Sequence, residues 1–142
     1  RACSQAERMV AKIRGLLGAA SGKKVGILGL SFKPNTDDIR ESASIRIIEM
    51  LMAEGVAVRA YDPVAMPEAM KVLKGVEMGT DPYDTAAGCD ALVIATEWNQ
   101  FRNLDLPRLK AVMKAAVLID LRNVYEPEDL KKVGFRYAAV GR

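Results

Sequence analysis

The sequence predicts an α/β fold, a parallel sheet with helices on both faces, entered from the end of a helix. Three observations predict it. Short buried apolar runs, Val25 to Leu30, Ala91 to Ala95 and Val117 to Ile119, alternate with segments whose apolar residues recur three and four apart. Each of these runs stops at a polar or charged stretch, as strands do where open α/β sheets bind ligands. Neither an internal repeat nor a low-complexity linker interrupts the alternation, and strands that alternate with helices pair in parallel through right-handed crossovers.

The elements follow in order. Ala6, Met9, Val10, Ile13, Leu16 and Leu17 recur at helical spacing with no Ser, Thr, Asp or Asn cap ahead of them, so the chain opens as a helix cut through its middle. Two accounts of that stripe stand, packing on the domain's own sheet or contact with a further domain or second subunit. Gly18 to Lys23 ends the helix and leads into the first strand. After the loop 31–41, a helix starts near Ser42 or Ser44 and runs to about Ala53, with Ile45, Ile48, Leu51 and Met52 on one face and Gly55 past its end. Val56 to Tyr61 alternates as a second strand that Asp62-Pro63 stops. A short helix over 66–73, an edge strand over 76–78 and a short helix over 82–88 follow. The strand at Ala91–Ala95 ends in the loop Thr96-Glu97-Trp98-Asn99. Leu104 to Ala115 is expected to be mainly helical, and the strand at Val117–Ile119 leads into Asp120-Leu121-Arg122-Asn123. A helical turn over 127–132 and a last strand over 135–140 close the chain.

Composition narrows the function. At 142 residues the chain suits one domain with its own core. A net charge of +3, from 21 basic and 18 acidic residues, is too balanced to mark a nucleic-acid surface. No apolar run approaches the roughly 18 residues of a membrane span, and no signal-peptide pattern opens the chain, so a cytoplasmic location is expected. Histidine is absent, which removes the commonest general base and the commonest metal ligand together. Cys3 and Cys89 are too few for a metal knot and are expected to be plain thiols.

The chemistry on offer lies in three strand-end loops. Lys33 and Arg40 in the first and Arg122 in the third suit phosphate, Lys as a point charge and Arg as a planar fork; spacing alone favours reading each as a surface or ion-paired cation. The first turn of the helix after loop 31–41 makes an anion site plausible, although Glu41 would satisfy the same donors. Asp37 and Asp38 suit acid and base, or loop and cap roles. Trp98 and Phe101 suit stacking on a ring, or core packing. Asp62 follows the second strand, where a dinucleotide fold places a ribose-binding carboxylate. Gly26 and Gly29 form only G-x-x-G, however, without the G-x-G-x-x-G turn, so Asp62 is read as a strand-end residue.

The run Gly29-Leu30-Ser31-Phe32-Lys33-Pro34-Asn35-Thr36-Asp37-Asp38-Ile39-Arg40-Glu41-Ser42 closely resembles the loop that opens the C-terminal domain of the UDP-glucose/GDP-mannose dehydrogenase family. The likeness continues through Ala60-Tyr61-Asp62-Pro63-Val64-Ala65-Met66, Ala95-Thr96-Glu97-Trp98-Asn99-Gln100-Phe101, Asp120-Leu121-Arg122-Asn123 and Gly134-Phe135-Arg136-Tyr137. Its details are more like the members acting on UDP-glucose than those acting on GDP-mannose or UDP-N-acetylmannosamine.

The resemblance implies a Rossmann-like UDP-sugar-binding domain over residues 21–142. Residues 1–20 would be the tail of a long central helix that serves dimerisation. In the family a separate N-terminal domain binds NAD and a central region carries the catalytic cysteine, which neither Cys3 nor Cys89 matches. Such an enzyme oxidises UDP-glucose twice at C6 with two NAD, through a thiohemiacetal and a thioester, to UDP-glucuronate. By motif position, Phe32, Lys33, Pro34, Asn35, Thr36, Asp37 and Arg122 would meet the substrate and Arg40 the NAD of the neighbouring domain. A homodimer is implied for the full enzyme, and no activity for this stretch alone. A nucleotide-sugar-binding or dimerisation module without chemistry is the alternative.

Overall fold

Alternation along strand β1 (Lys24–Leu28) sends Val25 and Ile27 to one face of the sheet and Leu28 to the other, and all three are fully buried. Strands β4 (Ala91–Ile94) and β5 (Val117–Asp120) repeat the pattern. Ala91, Val93, Val117 and Ile119 join the first core, and Leu92, Ile94 and Leu118 join the second. A strand buried on both faces needs helices on both. The computed structural model describes residues 2–19, 21–31, 33–40 and 42–139. The expectations for Phe32, Glu41 and Val140 lie outside the described residues, as does the one for the Cys3 thiol.

The first core is covered by α1 (Ala2–Leu17), α2 (Ala43–Ala53) and α3 (Met66–Met70). Ala6, Met9, Val10, Ile13 and Leu17 of α1 are buried there. Full burial of a large aliphatic side chain is worth about 1.5–3 kcal/mol, so the chain's own sheet accounts for the stripe. Lys12 Nζ donates to the Ala139 carbonyl at 2.6 Å, and Arg14 pairs with Glu54 at 3.2 Å, which ties the C-terminal half of the helix to β6 and to the end of α2. The second core is covered by α4 (Pro82–Ala86), α5 (Asn99–Arg102), α6 (Leu106–Val112) and α7 (Pro127–Val133).

With β2 (Ala57–Tyr61), β3 (Glu77–Met78) and β6 (Arg136–Ala139), the described strands form one parallel sheet in the order β3-β2-β1-β4-β5-β6. This is a doubly wound, Rossmann-like order, in keeping with the parallel sheet covered on both faces that the sequence predicts, and its direction reverses between β1 and β4. Loops at the carboxyl ends of those two strands flank the crevice where such sheets bind ligands.

Several boundaries differ from expectation, and α3, α4 and α6 end early, at Met70, Ala86 and Val112. β1 stops at Leu28 rather than Leu30, because Gly29 takes a positive φ of 103° and leaves the ladder. The Trp98–Asn99 loop contains the single turn α5. Helix α6 starts at Leu106 rather than Leu104, since the Asp105 carboxylate caps it by accepting the Arg108 N–H at 3.2 Å.

Candidate functional site

The turn after β1 is anchored before it becomes a loop. Gly29 donates its N–H to the Tyr61 carbonyl at 2.8 Å, and its α-carbon lies so close to Thr96 that a β-carbon there would stand 2.7 Å from the Thr96 nitrogen. Thr96 Oγ1 donates to the Ser31 carbonyl at 2.9 Å. The Leu30 N–H donates to Asp62 Oδ2 at 2.8 Å, and the Leu30 carbonyl accepts from Ser42 Oγ at 2.8 Å. β1, β2, β4 and the head of α2 thus hold three successive residues. Beyond them the chain turns on its own side chains: Ser31 Oγ donates to the Lys33 carbonyl at 2.7 Å, Asn35 adopts a left-handed φ of 66°, and the Asp38 N–H donates to Thr36 Oγ1 at 3.1 Å. Short polar side chains that bond their own backbone are what a loop of this composition supplies.

Asp62 is fully buried and its carboxylate is saturated from within. Oδ1 accepts the N–H groups of Val64 and Ala65 at 2.9 and 2.8 Å, and Oδ2 accepts Leu30 and the indole Nε1 of Trp98 at 3.3 Å. It is the strand-end residue the sequence predicts. Trp98 and Phe101 are core residues, at 9% and 0% exposure. The residues at the switch point do not fit the pyrophosphate of a dinucleotide: Thr96 fills the space beside Gly29, and Asp62 has no lone pair facing a ribose.

Asp120, at the end of β5, plays the matching part on the other side. It is fully buried, with Oδ2 accepting from Tyr137 Oη at 2.7 Å and the Tyr125 N–H at 2.9 Å, and Oδ1 accepting the Arg122 N–H at 3.2 Å. Burial pushes the Tyr125 hydroxyl up to about 12; its oxygen donates to the Phe101 carbonyl at 2.6 Å.

The remaining loop residues divide between recesses. Pro34 and Asn35 line one of about 310 Å³ with Glu97, Trp98, Asn99 and Gln100. Ser31 and Arg122 line a smaller one, of about 40 Å³, over the strand ends and the first turn of α2. The Arg122 guanidinium is turned toward Glu97, with Nε and Nη2 donating to Oε1 at 2.9 and 2.6 Å. Lys33 is exposed and its ammonium makes no hydrogen bond or ion pair among the described residues, while Thr36 is half-buried. Asp37 and Arg40 belong to a separate open recess of about 460 Å³ that also holds Asp38, Ile39 and Glu68. There Asp38 takes Arg40 in a fork, Nε to Oδ1 at 3.0 Å and Nη2 to Oδ2 at 2.9 Å. These hydrogen bonds, and the Arg40 N–H on Oδ1, hold the Asp38 carboxyl down at about 2.

Asn35 and Arg122 thus lie in separate recesses, one bordered by Glu97 and the other by Ser31; Asp37 and Arg40 share a third beside Glu68 of α3, and Lys33 is close enough to Asp38 to help hold its carboxyl down. Two partners were not singled out from sequence, Glu97 for Arg122 and Asp120 for the backbone beneath it. Both are acidic residues that close a buried strand, the signal that already identified Asp62. Cys89 is a buried free thiol, raised by burial, whose Sγ donates to the Thr85 carbonyl at 3.2 Å. Arg59 and Lys24 pull the other way, but burial outweighs them and leaves the thiol a poor nucleophile.

Comparison with known proteins identifies the family. Residues 26–127 match the model of the UDP binding domain of the UDP-glucose/GDP-mannose dehydrogenase family. The chain is 50% identical over 125 residues to the UDP-glucose 6-dehydrogenase of Rhizobium meliloti, covering 88% of this chain and 29% of that protein. Among solved structures it resembles a UDP-glucose dehydrogenase of Pyrobaculum islandicum, with a TM-score of 0.77 and 31% identity over 94% of this chain and 28% of that one. It also resembles the NDP-N-acetyl-D-galactosaminuronic acid dehydrogenase of Methanosarcina mazei, with a TM-score of 0.81 and 27% identity over 98% of this chain and 29% of the other. The chain spans about 30% of the length of the curated relatives it matches.

Proposed function

Because the chain belongs to the UDP-glucose/GDP-mannose dehydrogenase family, as the UDP binding domain of such an enzyme, we propose that it forms the nucleotide-sugar wall of an NAD-dependent UDP-glucose 6-dehydrogenase. The observation that carries this reading is the anchored loop 31–40. Its root is fixed by β1, β2, β4 and α2, and it carries the exposed Lys33, whose ammonium makes no hydrogen bond among the described residues. A fixed scaffold under an exposed cation suits an anionic ligand, because little ordering remains to be done on binding.

In this reading Lys33 donates charge-assisted hydrogen bonds to UDP-glucose, and the described neighbours Pro34, Asn35, Thr36 and Asp37 shape its loop. Phe32 belongs to the same set by motif position. Arg122 completes the substrate side, and Arg40, braced by Asp38, faces the NAD held by another domain of the same chain. NAD accepts the hydride in each of two oxidations that end at UDP-glucuronate, and the nucleophilic cysteine lies outside these residues. Residues 1–20 continue a central helix used for dimerisation, and residues 21–142 are the domain proper. The full enzyme would be a homodimer working in the cytoplasm, by the family resemblance; no described helix is long and apolar enough to cross a membrane.

Reduction of NAD by the full-length protein, compared across UDP-glucose, UDP-N-acetylmannosamine and GDP-mannose, tests the proposal. UDP-glucose is expected to give the highest kcat/KM. Equal rates with all three would remove the substrate assignment, and no reduction with any would leave a binding or dimerisation module.

A further inference from the structure

The Glu97–Arg122 pair joins the ends of two neighbouring strands and separates two recesses. Glu97 lines the one shared with Pro34 and Asn35, and Arg122 lines the one shared with Ser31. The backbones on both sides are fixed independently of the pair. Thr96 is held on Ser31, Leu121 donates its N–H to the Ile94 carbonyl at 3.0 Å, and the Arg122 N–H is held on Asp120. The pair is thus unnecessary for joining β4 to β5, whose ladder already does so.

Its geometry is incomplete in a particular way. Both donors of the guanidinium edge, Nε and Nη2, go to the single oxygen Oε1. Nη1 of Arg122 and Oε2 of Glu97 make no hydrogen bond among the described residues, and the side chains remain 32% and 35% exposed. An arginine anchored on one edge has its planar fork oriented, with its far edge open to a ligand.

We propose that Glu97 is the positioning residue for Arg122, holding its guanidinium edge-on so that Nη1 is presented to the nucleotide sugar. This rests on the reading that Arg122 meets the substrate, and it adds a residue to which that reading gives no role. Glu97 acts through Arg122, so its effect disappears when Arg122 is gone.

A double-mutant cycle in the full-length enzyme tests it, with Glu97→Gln, Arg122→Ala and the double variant assayed for the KM of UDP-glucose and of NAD and for thermal midpoint. Glu97→Gln is expected to raise the UDP-glucose KM about two- to fivefold, the scale of a partly exposed ion pair, with the NAD KM unchanged. In the Arg122→Ala background the same substitution is expected to change nothing further. An equal fold-change in both backgrounds, or no change in either, would overturn the positioning role while leaving the function intact. A rise in both KM values with a lowered midpoint would show a structural role and overturn it too, and Glu97→Asp, which keeps the charge, would then fail to restore the UDP-glucose KM. If Arg122→Ala itself leaves the UDP-glucose KM unchanged in an active enzyme, the underlying assignment of Arg122 falls and the inference with it.

Discussion

The Asp62 carboxylate, at the end of β2, accepts the backbone N–H of Leu30 at 2.8 Å across 32 residues of sequence. That bond joins the base of loop 31–40 to the neighbouring strand, and the same carboxylate holds the Trp98 indole of the β4 loop. One buried side chain therefore braces two strand-end loops against each other. Replacing Asp62 by Ala leaves four donors without their acceptor, and the three in buried bonds, the N–H groups of Leu30 and Ala65 and the Trp98 indole, each cost roughly 1–3 kcal/mol. Denaturant unfolding of Asp62→Ala should show a loss of about 3 kcal/mol or more. A loss below about 1 kcal/mol, within the range of an ordinary surface change, would show that the loop does not depend on this carboxylate.

Gly29 makes the second demand on the same turn. Its φ of 103° is one that side-chain-bearing residues rarely adopt, and Thr96 occupies the space a β-carbon would need. Backbone strain and overpacking add, so Gly29→Ala should destabilise by about 2–5 kcal/mol. Thr96→Ser in the same background should recover only part, because the Thr96 nitrogen remains 2.7 Å from the new carbon. Thermal unfolding of the three variants checks this, and a neutral Gly29→Ala would contradict it.

The Asp38–Arg40 fork is exposed, so it is read best by titration rather than by stability. Side-chain hydrogen bonds from Arg40, then the Arg40 N–H, hold Asp38 near 2 against an ordinary value of 3.8. A folded-state value below the unfolded one means that the fork is fully formed above about pH 4 and lost as pH falls through about 2. An NMR titration of the Asp38 carboxyl should show that low midpoint, and Arg40→Ala should move it up toward 3.8. In the full-length enzyme Arg40→Ala should raise the KM of NAD and spare that of UDP-glucose. A wild-type midpoint near 3.8, or an effect confined to UDP-glucose, would reverse the role given to Arg40.

Which parts of this were legible in the sequence follows from which interactions are local. The apolar runs at β1, β4 and β5 and the polar loops behind them are written in consecutive residues, and they were enough to place Lys33, Arg40 and Arg122 at strand ends. The run Val25–Leu30 still overstates β1, because an apolar stretch reports burial rather than pairing: Leu30 is fully buried yet lies past the glycine that leaves the ladder. Helix α5 is a single turn whose N-cap, Trp98, makes no side-chain capping hydrogen bond. It is fixed by burial of Phe101, and no cap residue announces it. The braces of the site were the least legible. Thr96 reaches Ser31 over 65 residues and Glu97 reaches Arg122 over 25, and no spacing rule connects residues so far apart.

The central claim, that loop 31–40 holds the nucleotide sugar through Lys33, is tested most directly by the KM of UDP-glucose for full-length Lys33→Ala at saturating NAD. Loss of a charged hydrogen bond worth roughly 1.5–3 kcal/mol should raise that KM about ten- to a hundredfold, with the KM of NAD unchanged. Kinetics identical to those of the unsubstituted enzyme would contradict it.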